Sequence, residues 1–290
     1  MFDDFEVQTI RLAQFDVRCR IGGSGPPLLL LHGFPESHVM WHLVAPELAK
    51  TRTVVLPDLR GYGGSGLPLV DSAEAYSKRA MAADQVELMG RLGHDRFEVV
   101  GHDRGGRVGY RLALDHPASI SRLTVLDIVP TADMWRAAEK QPDELQREWH
   151  WNKLSRACPV PEDEINRDPA EYLFPNGSPA ISGHPVDVHP GALADYVSAA
   201  LKPEVVHAMC QDYRAGASVD RDHDEADLAA GRKIVCPVRV YWGDSGDLPQ
   251  WFDVLEVWSH WAADLDGKGL PCGHFIPEEA PRELLAVLAG

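Results

Sequence analysis

The sequence predicts an α/β domain, a mostly parallel, doubly wound sheet with an inserted helical cap. Three observations carry that expectation. Short apolar runs alternate with segments of helical periodicity over residues 28–130. The alternation lapses over 131–222, where helical pieces surround a Pro/Gly-rich middle (Pro159 to Pro190) and no sheet strand is obvious. Strand signals return at Cys236-Pro237-Val238-Arg239-Val240-Tyr241-Trp242. At 290 residues and 44% hydrophobic, the chain fits one domain with an insertion better than two independent domains. The expected division is a core of residues 1–130 and 223–290, with a cap of 131–222 over the carboxyl ends of the strands, where such sheets bind ligands.

The elements follow in order. Residues 6–22 alternate like a hairpin, and Gly22-Gly23-Ser24-Gly25-Pro26-Pro27 breaks the chain. Leu28 to Leu31 is a continuous apolar run, the mark of a strand covered on both faces. Arg52 to Leu56 repeats it and leads into the turn-rich Asp58-Leu59-Arg60-Gly61-Tyr62-Gly63-Gly64-Ser65-Gly66. A helix is expected at about Met81–Leu92, a buried strand at Phe97–Val100, a helix at Arg107–Leu114, a strand at Leu123–Val129 and a last helix at about Pro281–Leu288. No internal repeat or low-complexity tract is evident.

The net charge of −16 argues against nucleic-acid binding and against attraction to anionic membranes. It also opposes anionic ligands, so any anion site must be built locally from placed cations. Cys19, Cys158, Cys210, Cys236 and Cys272 are odd in number and lack CxxC spacing, which reads as free thiols. The start, Met1-Phe2-Asp3-Asp4, is acidic and has no apolar signal region, and no apolar run approaches bilayer length. A soluble, cytoplasmic protein without a membrane partner is expected.

The chemistry centres on Gly101-His102-Asp103-Arg104-Gly105-Gly106. Strand, small-x-nucleophile-x-small, helix is the nucleophile elbow of the α/β-hydrolase fold, and Asp103 stands where that turn usually carries serine. An ionised carboxylate attacks without a base to take its proton, so it can displace a leaving group from saturated carbon. Water can then cleave the resulting ester, whereas serine would be left as a stable ether. His274, in Gly273-His274-Phe275 before the last helix, is placed to activate that water. The acid that orients it is Asp127, ending the strand in Leu126-Asp127-Ile128-Val129-Pro130, or Asp244 in Trp242-Gly243-Asp244; position in the fold does not separate them.

His32-Gly33-Phe34-Pro35 matches an oxyanion loop, so the backbone N–H groups of Phe34 and Arg104 are candidate oxyanion donors. Arg104 and Arg107 lie three apart at a helix start, where two cations repel each other and the helix dipole. A carboxylate ligand would relieve that repulsion and suits guanidinium forks; pairing of one arginine with a structural Asp or Glu is the alternative. Trp149-His150-Trp151 and Asp212-Tyr213-Arg214 offer N–H and O–H donors suited to a halide, although packing alone would also explain cap aromatics.

Together these residues resemble the fluoroacetate dehalogenases, α/β-hydrolase relatives of the haloalkane dehalogenases and epoxide hydrolases. The likeness runs from about His32 to the C-terminus. It rests on Gly101 to Arg107, on Leu126-Asp127-Ile128-Val129-Pro130-Thr131, on His150-Trp151, on Cys210-Gln211-Asp212-Tyr213-Arg214-Ala215-Gly216, and on Leu270-Pro271-Cys272-Gly273-His274-Phe275. The resemblance implies Asp103 as nucleophile, His274 as base and Asp127 as its acid, with Asp244 a bystander. It implies that Arg104 and Arg107 clamp a substrate carboxylate and that His150, Trp151 and Tyr213 receive the halide.

It further implies a homodimer with no cofactor and no metal, acting on a small anionic haloacid and releasing a 2-hydroxy acid. Two departures leave pocket size and halide preference open: Asn152-Lys153 replaces apolar or aromatic residues after Trp151, and Leu173-Phe174-Pro175-Asn176-Gly177-Ser178 lacks a tryptophan. An epoxide hydrolase would share Asp103, His274 and the Phe34 loop but usually wants two cap tyrosines, where this chain offers Tyr213 and His150. A ligand-binding relative without chemistry is the remaining alternative.

Overall fold

The structure, a computed structural model, describes residues 1–141 and 149–289; residues 142–148 of the expected cap lie outside the described residues. Eight strands form one sheet: β1 (Phe5–Arg11), β2 (Asp16–Gly22), β3 (Pro27–Leu31), β4 (Thr53–Pro57), β5 (Phe97–His102), β6 (Ile120–Leu126), β7 (Val238–Gly243) and β8 (Leu265–Leu270). Their order is β1-β2-β4-β3-β5-β6-β7-β8. β1 and β2 pair antiparallel from Phe5↔Gly22 to Arg11↔Asp16, as the alternation over 6–22 predicts, and β2 joins β4 antiparallel. All pairings from β4 through β8 are parallel. Leu29, Leu30 and Leu31 of β3 have no exposed surface, because helices cover both faces of the sheet.

β8 is a strand that the sequence pattern does not announce. Its sequence, Leu-Asp-Gly-Lys-Gly-Leu, holds two glycines and two charges. It is an edge strand with polar residues on its open face, so it lacks the apolar run that marks the central strands.

Helix starts lie earlier than periodicity alone places them. Helix α1 (Lys78–Arg91) begins after Ser77, whose hydroxyl accepts the Ala80 N–H at 3.2 Å. Helix α2 (Arg104–Asp115) begins immediately after Asp103, so the turn at Asp103 feeds straight into it. β6 stops at Leu126 rather than Val129, because Asp127 turns left-handed at φ 54°.

Between β6 and β7 the described residues form helices and no strand. They include α3 (Thr131–Ala138), α4 (His150–Leu154), α5 (Pro190–Ala200), α6 (Pro203–Ala217) and α7 (Val219–Ala229). The boundary expected at 222 falls inside α7. That helix is tied to the core helix α2: Tyr110 donates its hydroxyl to Asp224 at 2.8 Å, and Arg111 pairs with Asp227. The last helix, Pro281–Leu288, has its expected limits. Among the described residues no helix is long and apolar enough to cross a membrane.

Candidate active site

The turn at Asp103 is strained by its own geometry. Asp103 has φ 44° and ψ −114°, a conformation that costs a non-glycine residue about 1–3 kcal/mol. Glycines make the turn possible: a Cβ at Gly101 would strike the Gly105 carbonyl, and one at Gly105 would strike the carbonyls of Leu31 and His32. The strain lifts the Asp103 carboxylate out at the carboxyl end of β5. There the Phe34 N–H donates to its Oδ2 at 3.0 Å. Burial works to raise the Asp103 pKa, but His274, Arg104, His102 and Arg107 outweigh it and bring it to about 2. Asp103 is therefore ionised at neutral pH.

The Phe34 loop is itself pinned. His32 is fully buried, and burial keeps its pKa below the ordinary value. Its Nε2 accepts the Leu59 N–H at 2.9 Å, so its Nδ1 carries the proton and donates to the Gly33 carbonyl at 2.9 Å. In the sequence His32 is only part of a motif; its fixing role depends on a contact 27 residues away.

His274 Nδ1 lies 2.6 Å from Asp127 Oδ2. The other Asp127 oxygen accepts the Gly243 N–H at 2.9 Å, which aims the carboxylate across from β6 toward the loop after β8. The structure thus separates the two candidate acids: Asp127 meets His274, whereas Asp244 is exposed, with its carboxylate against Gly269. His102 holds the backbone of His274. Burial depresses its pKa to about 3, and its Nε2 donates to the His274 carbonyl at 2.8 Å.

The two arginines differ. Arg104 is held by Asp212 of α6, whose carboxylate accepts from Nε at 3.0 Å and from Nη2 at 2.6 Å. This is the pairing with a structural acid that the sequence allowed as an alternative, and it leaves Arg104 Nη1 without a partner among the described residues. Arg107 pairs with no acid among the described residues. Its Nη1 donates to the Val129 carbonyl at 2.9 Å and to Thr131 Oγ1 at 3.3 Å, and its Nε has no partner among the described residues. Burial, then the neighbouring Arg104, lowers its pKa from the usual value.

The cap residues close over these groups. The Arg104 guanidinium lies 4.3 Å from the Tyr213 ring centre, and that of Arg107 lies 4.4 Å from the Trp151 ring. Tyr213 is buried, and its hydroxyl has no partner among the described residues. The His150 ring packs edge-on to Tyr213 at 5.8 Å, and burial lowers its pKa to about 3, so it is neutral. Asp103, Arg107, Asp127, His150, Trp151 and His274 line one cavity. An ionised carboxylate, a His–Asp pair and buried N–H and O–H donors without acceptors among the described residues suit displacement at an anionic substrate followed by hydrolysis. The metal-ligating types Cys158, Glu162 and His207 also come within 4.8 Å of one another, but Arg214 already binds both Glu162 oxygens, at 2.7 and 2.8 Å.

A family model described as the alpha/beta hydrolase fold matches residues 26–281. A fluoroacetate dehalogenase from Burkholderia sp is 42% identical, with 99% of this chain and 94% of that protein covered. A soluble epoxide hydrolase from Corynebacterium sp. (strain C12) is 33% identical over 90% of this chain and 87% of its own length. Among solved structures, a Pseudomonas aeruginosa mutant protein with bound MFA, provisionally named an epoxide hydrolase, superposes with a TM-score of 0.92. It is 43% identical and covers 100% of this chain and 96% of its own.

Proposed function

Because the chain belongs to the alpha/beta hydrolase fold family, we propose that it is a hydrolytic dehalogenase of short 2-haloacids such as fluoroacetate. The observation that carries this reading is the buried Arg107, unpaired with any acid among the described residues, beside an ionised Asp103 in one cavity. A neutral substrate would leave that desolvated cation uncompensated, whereas a substrate carboxylate completes it.

With Oδ2 engaged by the Phe34 N–H, Oδ1 of Asp103 is the oxygen left to attack. It displaces halide in line from C2, forming a C–O ester bond as the C–halogen bond breaks. Arg107 and the spare Nη1 of Arg104 hold the carboxylate. His150, Trp151 and Tyr213 receive the leaving halide, whose charge develops only as the bond breaks. His274, oriented by Asp127, then takes a proton from water attacking the Asp103 carboxyl carbon. The Phe34 and Arg104 N–H groups stabilise the tetrahedral oxyanion; its collapse breaks the ester C–O bond as the protonated His274 returns its proton to the departing alkoxide oxygen, which releases the 2-hydroxy acid, and the new carboxyl loses its proton to restore the Asp103 carboxylate.

The test is halide release from fluoroacetate and chloroacetate beside hydrolysis of a neutral epoxide. Haloacid turnover with little epoxide turnover supports the reading. The reverse ranking favours epoxide hydrolysis, the activity named for the 33% identical relative. No turnover of either leaves a ligand-binding member of the fold.

A further inference from the structure

Glu279 lies five residues beyond His274 and is only 13% exposed. Its two oxygens accept the backbone N–H groups on either side of that histidine: Oε2 from Gly273 at 2.8 Å and Oε1 from Phe275 at 2.9 Å. The same Oε2 lies 2.9 Å from Nε2 of His184, which comes from the cap and lines the cavity with Asp103 and His274. The packing is close enough to dictate sequence. A Cβ on Gly273 would run into the His184 ring and come within 3.0 Å of Glu279 Oε1.

We propose that Glu279 is a positioning residue for His274, and that His184 carries its hold across to the cap. The carboxylate spans the two peptide N–H groups flanking the base and so fixes the peptide that carries the imidazole. Together with the 2.8 Å bond from His102 to the His274 carbonyl, it holds the ring on Asp127 and sets the line of attack for water. The inference rests on the two-step reading above, and it places Glu279 on one step only. Attack by Asp103 needs no base, so loosening the His274 loop leaves ester formation intact and slows ester hydrolysis.

Rapid-quench single turnovers on chloroacetate, with intact-protein mass spectrometry, separate the two steps in the wild type, Glu279→Gln, Glu279→Ala, His184→Ala and a His274→Ala control. Both Glu279 variants are expected to release the first equivalent of chloride near the wild-type rate and to accumulate an Asp103 ester. Steady-state turnover should fall by up to about a hundredfold, the loss that a misplacement of about 1 Å produces. Gln retains a carbonyl oxygen for one N–H, so it falls less than Ala; His184→Ala shows a smaller defect in the same step. Equal slowing of both steps, or unchanged turnover, overturns the positioning role, as does absence of ester in the Glu279 variants while His274→Ala accumulates it. Absence of ester in His274→Ala instead overturns the two-step reading, and this inference with it.

Discussion

Asp212 grips Arg104 across the junction of cap and core, two residues 108 positions apart and both fully buried. The carboxylate also accepts from the Tyr62 hydroxyl at 2.8 Å and pairs with Lys78. The residue after Asp212 is Tyr213, whose ring faces the Arg104 guanidinium. One ion pair therefore sets the position of a cation beside Asp103 and of the Tyr213 ring in the cap.

Loss of that pair should be severe. Asp212→Ala leaves the buried guanidinium of Arg104 and the Lys78 ammonium without their shared anion, a change expected to destabilise by about 3–5 kcal/mol. Urea unfolding measures it. A midpoint equal to wild type would mean that water or a neighbour replaces the carboxylate, and the pair would lose its organising role.

The covalent step is open to direct trapping. On the proposed two-step route, His274→Ala removes the base for hydrolysis but not the nucleophile, so incubation with a haloacetate should leave a stable ester. Intact mass should rise by the acid fragment, and peptide mapping should put it on Asp103. Unmodified protein, or a label at another carboxylate, would refute Asp103 as the attacking group.

The pH dependence should differ between the two steps. Burial works against the charged form of His274, but the hydrogen bond and charge of Asp127, then the charge of Asp103, raise its pKa above 6.5 in the free enzyme. A base must be neutral, so ester breakdown should fall as pH drops through the His274 pKa. Ester formation removes the Asp103 charge and with it one cause of the elevation. The acid limb of ester breakdown should therefore lie at lower pH than the titration of His274 in the free enzyme. First-turnover halide release depends on Asp103, ionised far below this range, and should stay flat through it. NMR titration of His274 and single-turnover decay of the ester give the two midpoints; the opposite order would contradict this coupling.

Much of this site is legible in the sequence because its signals are local. Strand, turn and helix around Asp103 follow from a few consecutive residues, as do the Phe34 loop and the position of His274 before the last helix. What escaped depends on contacts far apart in the chain. Asp127 and Asp244 both follow a core strand, and only the left-handed backbone of Asp127 and its bond to the Gly243 N–H aim it at His274. Asp212 sits in an otherwise largely apolar helix face, a signal for a buried partner, yet nothing nearby names Arg104 as that partner. Glu279 reads as a charge near the chain's end until the fold brings its two oxygens back to the peptide around His274. β8 was invisible because its glycines and charges suit an edge and resemble a loop.

Arg107 offers the sharpest separation of activity from stability. It is buried beside another arginine and, among the described residues, its hydrogen bonds go to a carbonyl and a hydroxyl and none to an acid, so in the free enzyme burial works against its charge. Replacing a buried cation with an apolar residue of similar volume removes the cost of desolvating its charge. Arg107→Leu should therefore unfold at a urea concentration equal to or above wild type while losing nearly all haloacid turnover, because the substrate carboxylate loses its unpaired guanidinium. A neutral haloalkane or haloacetamide should lose far less, since it presents no carboxylate to this residue. Haloacid turnover within a fewfold of wild type would remove Arg107 from substrate binding, and equal losses on charged and neutral substrates would reassign it to holding Trp151 in place.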